Sequence, residues 1–107
     1  MTNRTLTDGS PVPEDNSHTE LKPDGQQKGY VVLSADERAK GFVRPVRHSY
    51  IHNKCGGKTT MNKELAETYA RQPNFYSGTF CVGCRAHFPV GPDGEFTWDG
   101  TTEKVGT

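Results

Sequence analysis

The stretch His52-Asn53-Lys54-Cys55-Gly56-Gly57 decides how this sequence folds, because it places a histidine and a cysteine three residues apart, directly before glycine. The pair Cys81 and Cys84 repeats that spacing further along the chain. Two ligands three residues apart, on a turn that glycine allows to reverse sharply, can bind one metal ion. Together the stretches read H-x2-C-x25-C-x2-C. They predict a Cys3His set that holds one zinc ion tetrahedrally in a structural role.

Other interpretations of the cysteines stay open at this point. Cys81 and Cys84 could form a redox pair, although the βαβ pattern of a thioredoxin-like motif is missing and the third cysteine then has no role. All three could also be buried thiols without a ligand. For the fourth zinc ligand we prefer His52, with His87, His48 or a water molecule as the alternatives. Zinc is the better expectation than iron at such a set.

The composition predicts one small domain with a thin core. The chain has 107 residues, of which 31% are hydrophobic, and a mean hydropathy of −0.82. Domains of this size usually need a staple such as a metal ion, and a structural zinc contributes more than such a core. The formal net charge is zero, and no apolar run approaches the roughly 20 residues of a membrane span. The odd number of cysteines and the polar first twenty residues favour a cytoplasmic protein.

We divide the chain into an arm, residues 1–28, and a zinc-binding domain, residues 29–107. The arm contains three prolines, many small polar residues and few large apolar ones. Such a segment buries too little surface to offset its ordering entropy. We therefore expect it to be flexible on its own, or extended against a partner.

Periodicity and turn signals predict a small α+β fold. Ser34 and Glu37 form a capping-box pattern for a short helix over 35–40, which Gly41 ends. Thr60 is the predicted cap of a helix over 61–71, with Met61, Leu65 and Tyr69 on its inner face. The predicted strands are 30–33, 42–51, 75–82, 86–90 and 95–98. The last two flank Gly91-Pro92-Asp93-Gly94, which predicts a C-terminal hairpin.

Charge is neutral in sum but uneven along the chain. Between residues 38 and 63 there is no acidic residue, and seven cations occur: Arg38, Lys40, Arg44, Arg47, Lys54, Lys58 and Lys63. Acidic residues dominate after residue 92, at Asp93, Glu95, Asp99 and Glu103. The cationic run is either a solvated face or a patch for phosphates or an acidic partner.

The sequence lacks the patterns that accompany catalytic zinc. A catalytic site keeps one coordination position open and has a general base nearby, whereas four protein ligands are available here. The H-x-E and P-C-x-x-C pattern of zinc deaminases is missing, since Phe80 precedes Cys81. We therefore expect no enzymatic activity.

From residue 50 to residue 98 the chain resembles a zinc ribbon, in which two knuckles clasp one ion and a β-hairpin follows the second. It departs from the usual ribbon because its first ligand is histidine and a helix lies between the knuckles. The run from HNKCGGKTTMNKELAETYARQPNFYSGTF through CVGCRAHFPVGPDGEFTW also resembles small zinc-site proteins of tailed phages. That resemblance implies a viral origin without naming an activity.

Two functions compete on these observations. The first is a zinc-stabilised protein-interaction module, either a virion component or a factor that acts on a protein in the host cytoplasm. The second is a nucleic-acid-binding ribbon that uses segment 38–63, with Tyr50 as a stacking group. The hairpin aromatics Phe88, Phe96 and Trp98 are expected in the core rather than at an interface.

Overall fold

The computed structural model describes residues 4–13, 15 and 17–107, and within them the protein is a small α+β fold. Its elements, in chain order, are β1 (Arg4–Leu6), a 3₁₀ turn (Ser17–Thr19), β2 (Val31–Leu33), α1 (Ala35–Arg38), β3 (Ser49–His52), β4 (Lys58–Thr60), α2 (Lys63–Arg71), β5 (Gly78–Cys81), β6 (Ala86–Pro89) and β7 (Phe96–Trp98). No helix among the described residues is long and apolar enough to cross a bilayer. The α+β class and the helix between the two knuckles are as predicted.

The strands form three small antiparallel sheets. Strand β1 pairs with β2, β3 lies between β4 and β7, and β5 pairs with β6. In the three-stranded sheet Tyr50 lies opposite Thr59 on one side and opposite Trp98 on the other. In the two-stranded sheet Cys81 lies opposite Ala86, so that the second knuckle is the turn between β5 and β6.

The predicted C-terminal hairpin between 86–90 and 95–98 is wrong. Strand β6 pairs with β5, and β7 pairs with β3. The turn does form, since Gly94 N–H donates to the Gly91 carbonyl. However, the edge of β7 that a hairpin partner needs is occupied by the segment 103–105, through hydrogen bonds from Trp98 N–H to the Glu103 carbonyl and from Val105 N–H to the Phe96 carbonyl. The local turn signal was therefore overridden by the long-range pairing of β7 with β3 and by the hairpin of β5 and β6.

The helix α2 begins later than predicted. Its N-cap is Asn62, whose side chain accepts a hydrogen bond from Leu65 N–H at 3.0 Å. Thr60 is instead the last residue of β4, opposite Ser49. Thr60 therefore belongs to the sheet, and it does not cap the helix. Of the predicted inner face, Tyr69 is buried and Leu65 is partly buried against the core, with Ala66 and Ala70 buried beside them. Met61 is also buried, but it precedes the helix.

Two other predicted elements are shorter in the structure. The Ser34 side chain caps α1 by accepting from Glu37 N–H, but the helix ends at Arg38 and not at residue 40. Of the predicted strand 42–51, only the last part belongs to β3, and residues 42–48 form no strand. The Val43 and Arg44 N–H groups both donate to the Ala70 carbonyl, so this segment is tied to the end of α2 instead of a sheet.

The described part of the arm lies against the domain. Strand β1 pairs with β2. A turn at residues 22–27 lies so close to the second knuckle that a Cβ on Gly25 would be 2.1 Å from the Arg85 carbonyl oxygen. Only glycine fits there. Residues 1–3, 14 and 16 lie outside the described residues. The flexibility predicted for 1–28 concerns motion and stays a prediction.

The core is built mainly from aromatic side chains. Tyr50, Phe96 and Trp98 are at most 2% exposed, and the ring of Tyr50 meets the other two edge to face. Tyr69 of α2 adds a further edge-to-face contact with Trp98. The core placement predicted for Phe96 and Trp98 is thereby confirmed, while Phe88 is half-buried against the same cluster.

Burial of the tyrosine hydroxyls predicts that the folded protein becomes less stable at alkaline pH. Burial raises the pKa of all four tyrosines, that of Tyr50 from 10.0 to about 12. The unfolded chain loses these protons first, so the free energy of unfolding falls as the pH rises above 10.0 and through about 12. We expect the tyrosinate absorbance of the native protein to appear together with loss of circular dichroism. An ordinary titration of the tyrosines in protein that stays folded contradicts this; the protein in denaturant is the control.

Candidate metal centre

The first knuckle is a tight turn at the end of β3. The N–H groups of Cys55 and Gly56 both donate to the His52 carbonyl, at 3.2 and 2.7 Å. Gly56 has φ of +74°, the left-handed conformation that glycine adopts at no steric cost. Gly57 then returns the chain to β4, and its N–H donates to the Cys55 sulfur at 3.3 Å.

The second knuckle is the same turn at the end of β5. The Arg85 N–H donates to the Cys81 carbonyl at 2.7 Å, and the Cys84 N–H lies 3.4 Å from the Cys81 sulfur. Arg85 follows the second ligand as Gly56 does in the first knuckle, and it also has positive φ, +56°. The backbone requirement is therefore shared, but only one of the two positions carries glycine.

The two knuckles bring together one nitrogen and three sulfurs. The ligand atoms of His52, Cys55, Cys81 and Cys84 all lie within 4.8 Å of one another. His52 Nδ1 lies 3.2 Å from the Cys55 sulfur and 3.6 Å from the Cys84 sulfur, and the Cys55 and Cys81 sulfurs are 3.5 Å apart.

Three of the six separations are close to the edges of a coordination tetrahedron. Bond lengths of about 2.3 Å to sulfur and 2.0–2.1 Å to nitrogen give edges of about 3.8 Å between sulfurs and about 3.6 Å between nitrogen and sulfur. The three measured separations fall within a few tenths of an ångström of those edges. The tetrad is thus compatible with one metal ion, and it contains the four residues that the knuckle spacing predicted.

Aromatic rings restrict the orientation of His52. It is 2% exposed, and its imidazole stacks on Phe88, with centroids 4.5 Å apart, and on Phe96, with centroids 4.8 Å apart. Its Nδ1 faces the Cys55 and Cys84 sulfurs, while Nε2 faces Glu95. A histidine ligand held so firmly loses little freedom when it coordinates.

Glu95 completes the site from the far side of the imidazole. Its Oε1 lies 2.8 Å from His52 Nε2, where Nε2–H donates to the carboxylate. This contact fixes the tautomer that leaves Nδ1 free to coordinate, as in carboxylate–histidine–metal sites. The sequence analysis missed this role of Glu95. The pairing of His52 with Phe96 across β3 and β7 could have revealed it, but the wrongly predicted hairpin hid that pairing.

Without a metal ion, the protein groups themselves favour a protonated His52 and an ionised Cys55. Burial lowers the pKa of His52, but the hydrogen bonds with Glu95 and Cys55 outweigh it and raise that pKa above its ordinary value. The hydrogen bond from Gly57 N–H lowers the pKa of Cys55 to about 7. Desolvation and then the neighbouring Cys55 and Cys81 sulfurs raise the pKa of Cys84 to about 11. Crowded thiols thus resist full ionisation unless a cation joins them.

The other histidines considered as ligands lie elsewhere. His87 Nε2 is 2.9 Å from the Tyr30 hydroxyl, and its ring contacts Phe80. His48 Nδ1 lies 3.4 Å from the Met61 carbonyl oxygen. Neither belongs to the tetrad.

The cationic segment 38–63 does not form one free surface in the structure. Most of its cations lie in ion pairs: Arg38 and Lys63 with Glu67, Lys40 with Glu37, Arg47 with Glu103, Lys54 with Glu95, and Lys58 with Asp99. Arg44 donates to the Val43 and Thr107 carbonyls. Three of these pairs join the cationic segment to the acidic residues after residue 92. Tyr50, the predicted stacking group, is 2% exposed and packs in the core.

Comparison with known proteins gives no relative. No family model matches the chain, and neither a curated protein nor a solved structure matches it. The function proposed for the tetrad therefore rests on its own geometry.

Removal of the Glu95 carboxylate tests its contact with His52. We expect Glu95→Gln to weaken metal binding modestly, because the amide oxygen still accepts from Nε2–H, and Glu95→Ala to weaken it by about 10–100-fold. Metal affinity is measured by competition with a chromophoric chelator. Asp93→Asn, an exposed carboxylate of the same segment, is the matched control. Equal affinity in Glu95→Ala and Asp93→Asn contradicts the assignment.

Proposed function

We propose that the protein is a non-enzymatic, zinc-stabilised protein-interaction module of the zinc-ribbon type. The observation that supports this proposal is the tetrad of His52, Cys55, Cys81 and Cys84, which can supply all four ligands of a tetrahedral metal ion. The proposed ion is Zn²⁺, one per chain. One imidazole and three thiolates favour it over the hard cations that prefer oxygen ligands.

The proposed role of the ion is structural. On the order of 10–16 kcal/mol accompanies zinc binding in zinc-finger peptides, whereas the core of a domain this small supplies about 3–5 kcal/mol. The ligands come from the ends of β3 and β5, which belong to different sheets. An ion that joins them therefore stabilises the packing of one sheet on the other.

The arrangement around the tetrad argues against catalysis. A catalytic zinc needs an open position and a base that can reach it. Here the nearby carboxylate, Glu95, lies on the Nε2 side of the imidazole and also pairs with Lys54 at 3.5 Å. It is placed to orient the histidine, and no protein position of the tetrahedral shell is left to water.

A protein partner is favoured by the distribution of charge. The formal net charge is zero, and the cationic segment is largely paired with acidic residues of the same chain. Such a surface has little long-range attraction for a polyanion. The resemblance to tailed-phage proteins leads us to propose a virion component or a protein of the host cytoplasm as the partner.

The nucleic-acid-binding ribbon remains the second candidate. The observation in its favour is the exposure of several paired cations, since Lys54 and Lys63 are 73% and 71% exposed. Exposed ion pairs are weak, so such lysines could exchange a carboxylate for a phosphate.

Native mass spectrometry of the protein purified without added metal tests the zinc proposal. We expect one zinc per chain, lost together with the circular dichroism of the fold on chelation. Cys81→Ser and His52→Gln should both lose zinc and unfold. His87→Gln and His48→Gln should keep one zinc, because their rings bond outside the tetrad. Metal-free protein with a Cys81–Cys84 disulfide, or a folded Cys81→Ser, overturns the proposal.

Fluorescence anisotropy with labelled oligonucleotides separates the two candidates. Because the cationic segment is paired internally, we expect no saturable binding of single-stranded or duplex DNA or RNA at low salt. Tight binding that weakens steeply with salt would instead favour the ribbon. Lys58→Gln and Lys63→Gln should then lower the salt slope, while Lys22→Gln, outside the segment, should not.

A further inference from the structure

A cavity of about 240 Å³ lies between α2, β4 and β5. All four tyrosines of the chain line it. The remaining wall is supplied by neutral side chains, among them Gln26, Thr79 and Leu65. Among the described residues no Asp, Glu, Lys, Arg or His lines it. The cavity therefore suits an uncharged group that offers ring faces and hydrogen bonds.

One edge of β5 borders this cavity. The hydrogen bond from Val90 N–H to the Ser77 carbonyl shows which residue pairs of β5 and β6 are hydrogen-bonded to each other. Because hydrogen-bonded and non-bonded pairs alternate in an antiparallel ladder, the backbone groups of Gly78, Phe80 and Val82 turn away from β6.

Side-chain hydroxyls take the place of a neighbouring strand along most of that edge. The Tyr50 hydroxyl donates to the Phe80 carbonyl, and Thr59 Oγ1 accepts from Val82 N–H at 3.0 Å. Gly78 is the next outward-facing residue, and it lines the cavity. A Cβ at this position would lie 3.0 Å from the Phe88 carbonyl oxygen, so glycine also keeps the backbone close to its partner strand.

An amide group is the chemistry that completes such an edge. The outward N–H and C=O of Gly78 match the donor and acceptor of a peptide backbone, as in strand addition to a sheet edge. A cavity of 150 Å³ is enough for a benzene molecule, so 240 Å³ holds an aromatic side chain. Ring faces and edges of the tyrosines provide the T-shaped contacts that such a ring prefers.

We infer that the cavity is the docking site for an extended segment of a partner protein, which pairs its backbone with Gly78 and inserts one uncharged aromatic side chain among the tyrosines. This inference rests on the proposed interaction function and specifies the partner's chemistry. Lysines and acidic residues outside the cavity play no part in it, so recognition depends little on salt.

Chemical-shift titration of the zinc-loaded full chain tests the inference. The probes are the capped tripeptides acetyl-Thr-Tyr-Thr-amide and acetyl-Thr-Asp-Thr-amide. We expect the tyrosine peptide to shift the Gly78 and Thr79 amide resonances saturably. The aspartate peptide should bind about tenfold more weakly or not at all, because the cavity would bury its carboxylate without an opposite charge.

Cavity-filling variants locate the binding. Leu65→Trp fills the cavity from α2 and should abolish the shifts, whereas Leu21→Trp, at a side chain that is 63% exposed, should leave them unchanged. Thr60→Trp, at the end of β4, is the second filling variant if Leu65→Trp does not fold. The inference is overturned if there is no saturable shift, if both peptides bind equally, or if binding survives filling of the cavity. Saturable binding of uridine at Gly78 without binding of the tyrosine peptide also overturns it.

The outcome is separable from that of the proposed function. The titration is made on protein whose zinc content and fold have been verified, so the absence of shifts counts against this docking site and not against the zinc centre. Loss of zinc without loss of fold, or salt-dependent oligonucleotide binding, counts against the proposed function whatever the tripeptides do.

Discussion

Strands β3 and β5 end beside each other, and their last residues, His52 and Cys81, meet in the tetrad of ligand atoms that joins the two larger sheets. The sheets share no backbone ladder. Apart from the tetrad, they are linked near this point by the hydroxyls of Tyr50 and Thr59, which bond to the backbone of β5 and its knuckle. Three sulfurs confined within 4.8 Å repel one another once ionised, so a divalent cation among them would offset that repulsion and hold the two sheets together.

His52 serves the metal centre and the hydrophobic core at once. Its ring stacks on Phe88 and on Phe96, and Phe96 in turn packs edge to face on Tyr50. Coordination at Nδ1 is therefore coupled to the packing of the central aromatic cluster, with Glu95 holding the ring from its other nitrogen. Loss of a bound metal would therefore affect the core directly, because the candidate ligand and the core residue are the same side chain.

The sequence allowed the local features to be predicted and left the long-range pairings open. Knuckle spacing identified all four residues of the tetrad, because two ligands three residues apart are a local geometric statement. The Ser34 cap and the buried face of α2 followed from equally local patterns. The partner of β7 did not, since Gly91-Pro92-Asp93-Gly94 signals a turn whichever strand receives Phe96. Glu95 was missed for the same reason: its role depends on a pairing between residues more than forty positions apart.

The position of Val105 has a consequence for the order of events during synthesis. This residue is fully buried, and its N–H and C=O bond to Phe96 and Gly91, beside the strand that carries the partner of His52. Residues 103–105 follow both knuckles in the chain, so all four residues of the tetrad are synthesised before the segment that completes the edge of β7. Closure of the core around Phe96 therefore depends on residues that are made after every member of the tetrad.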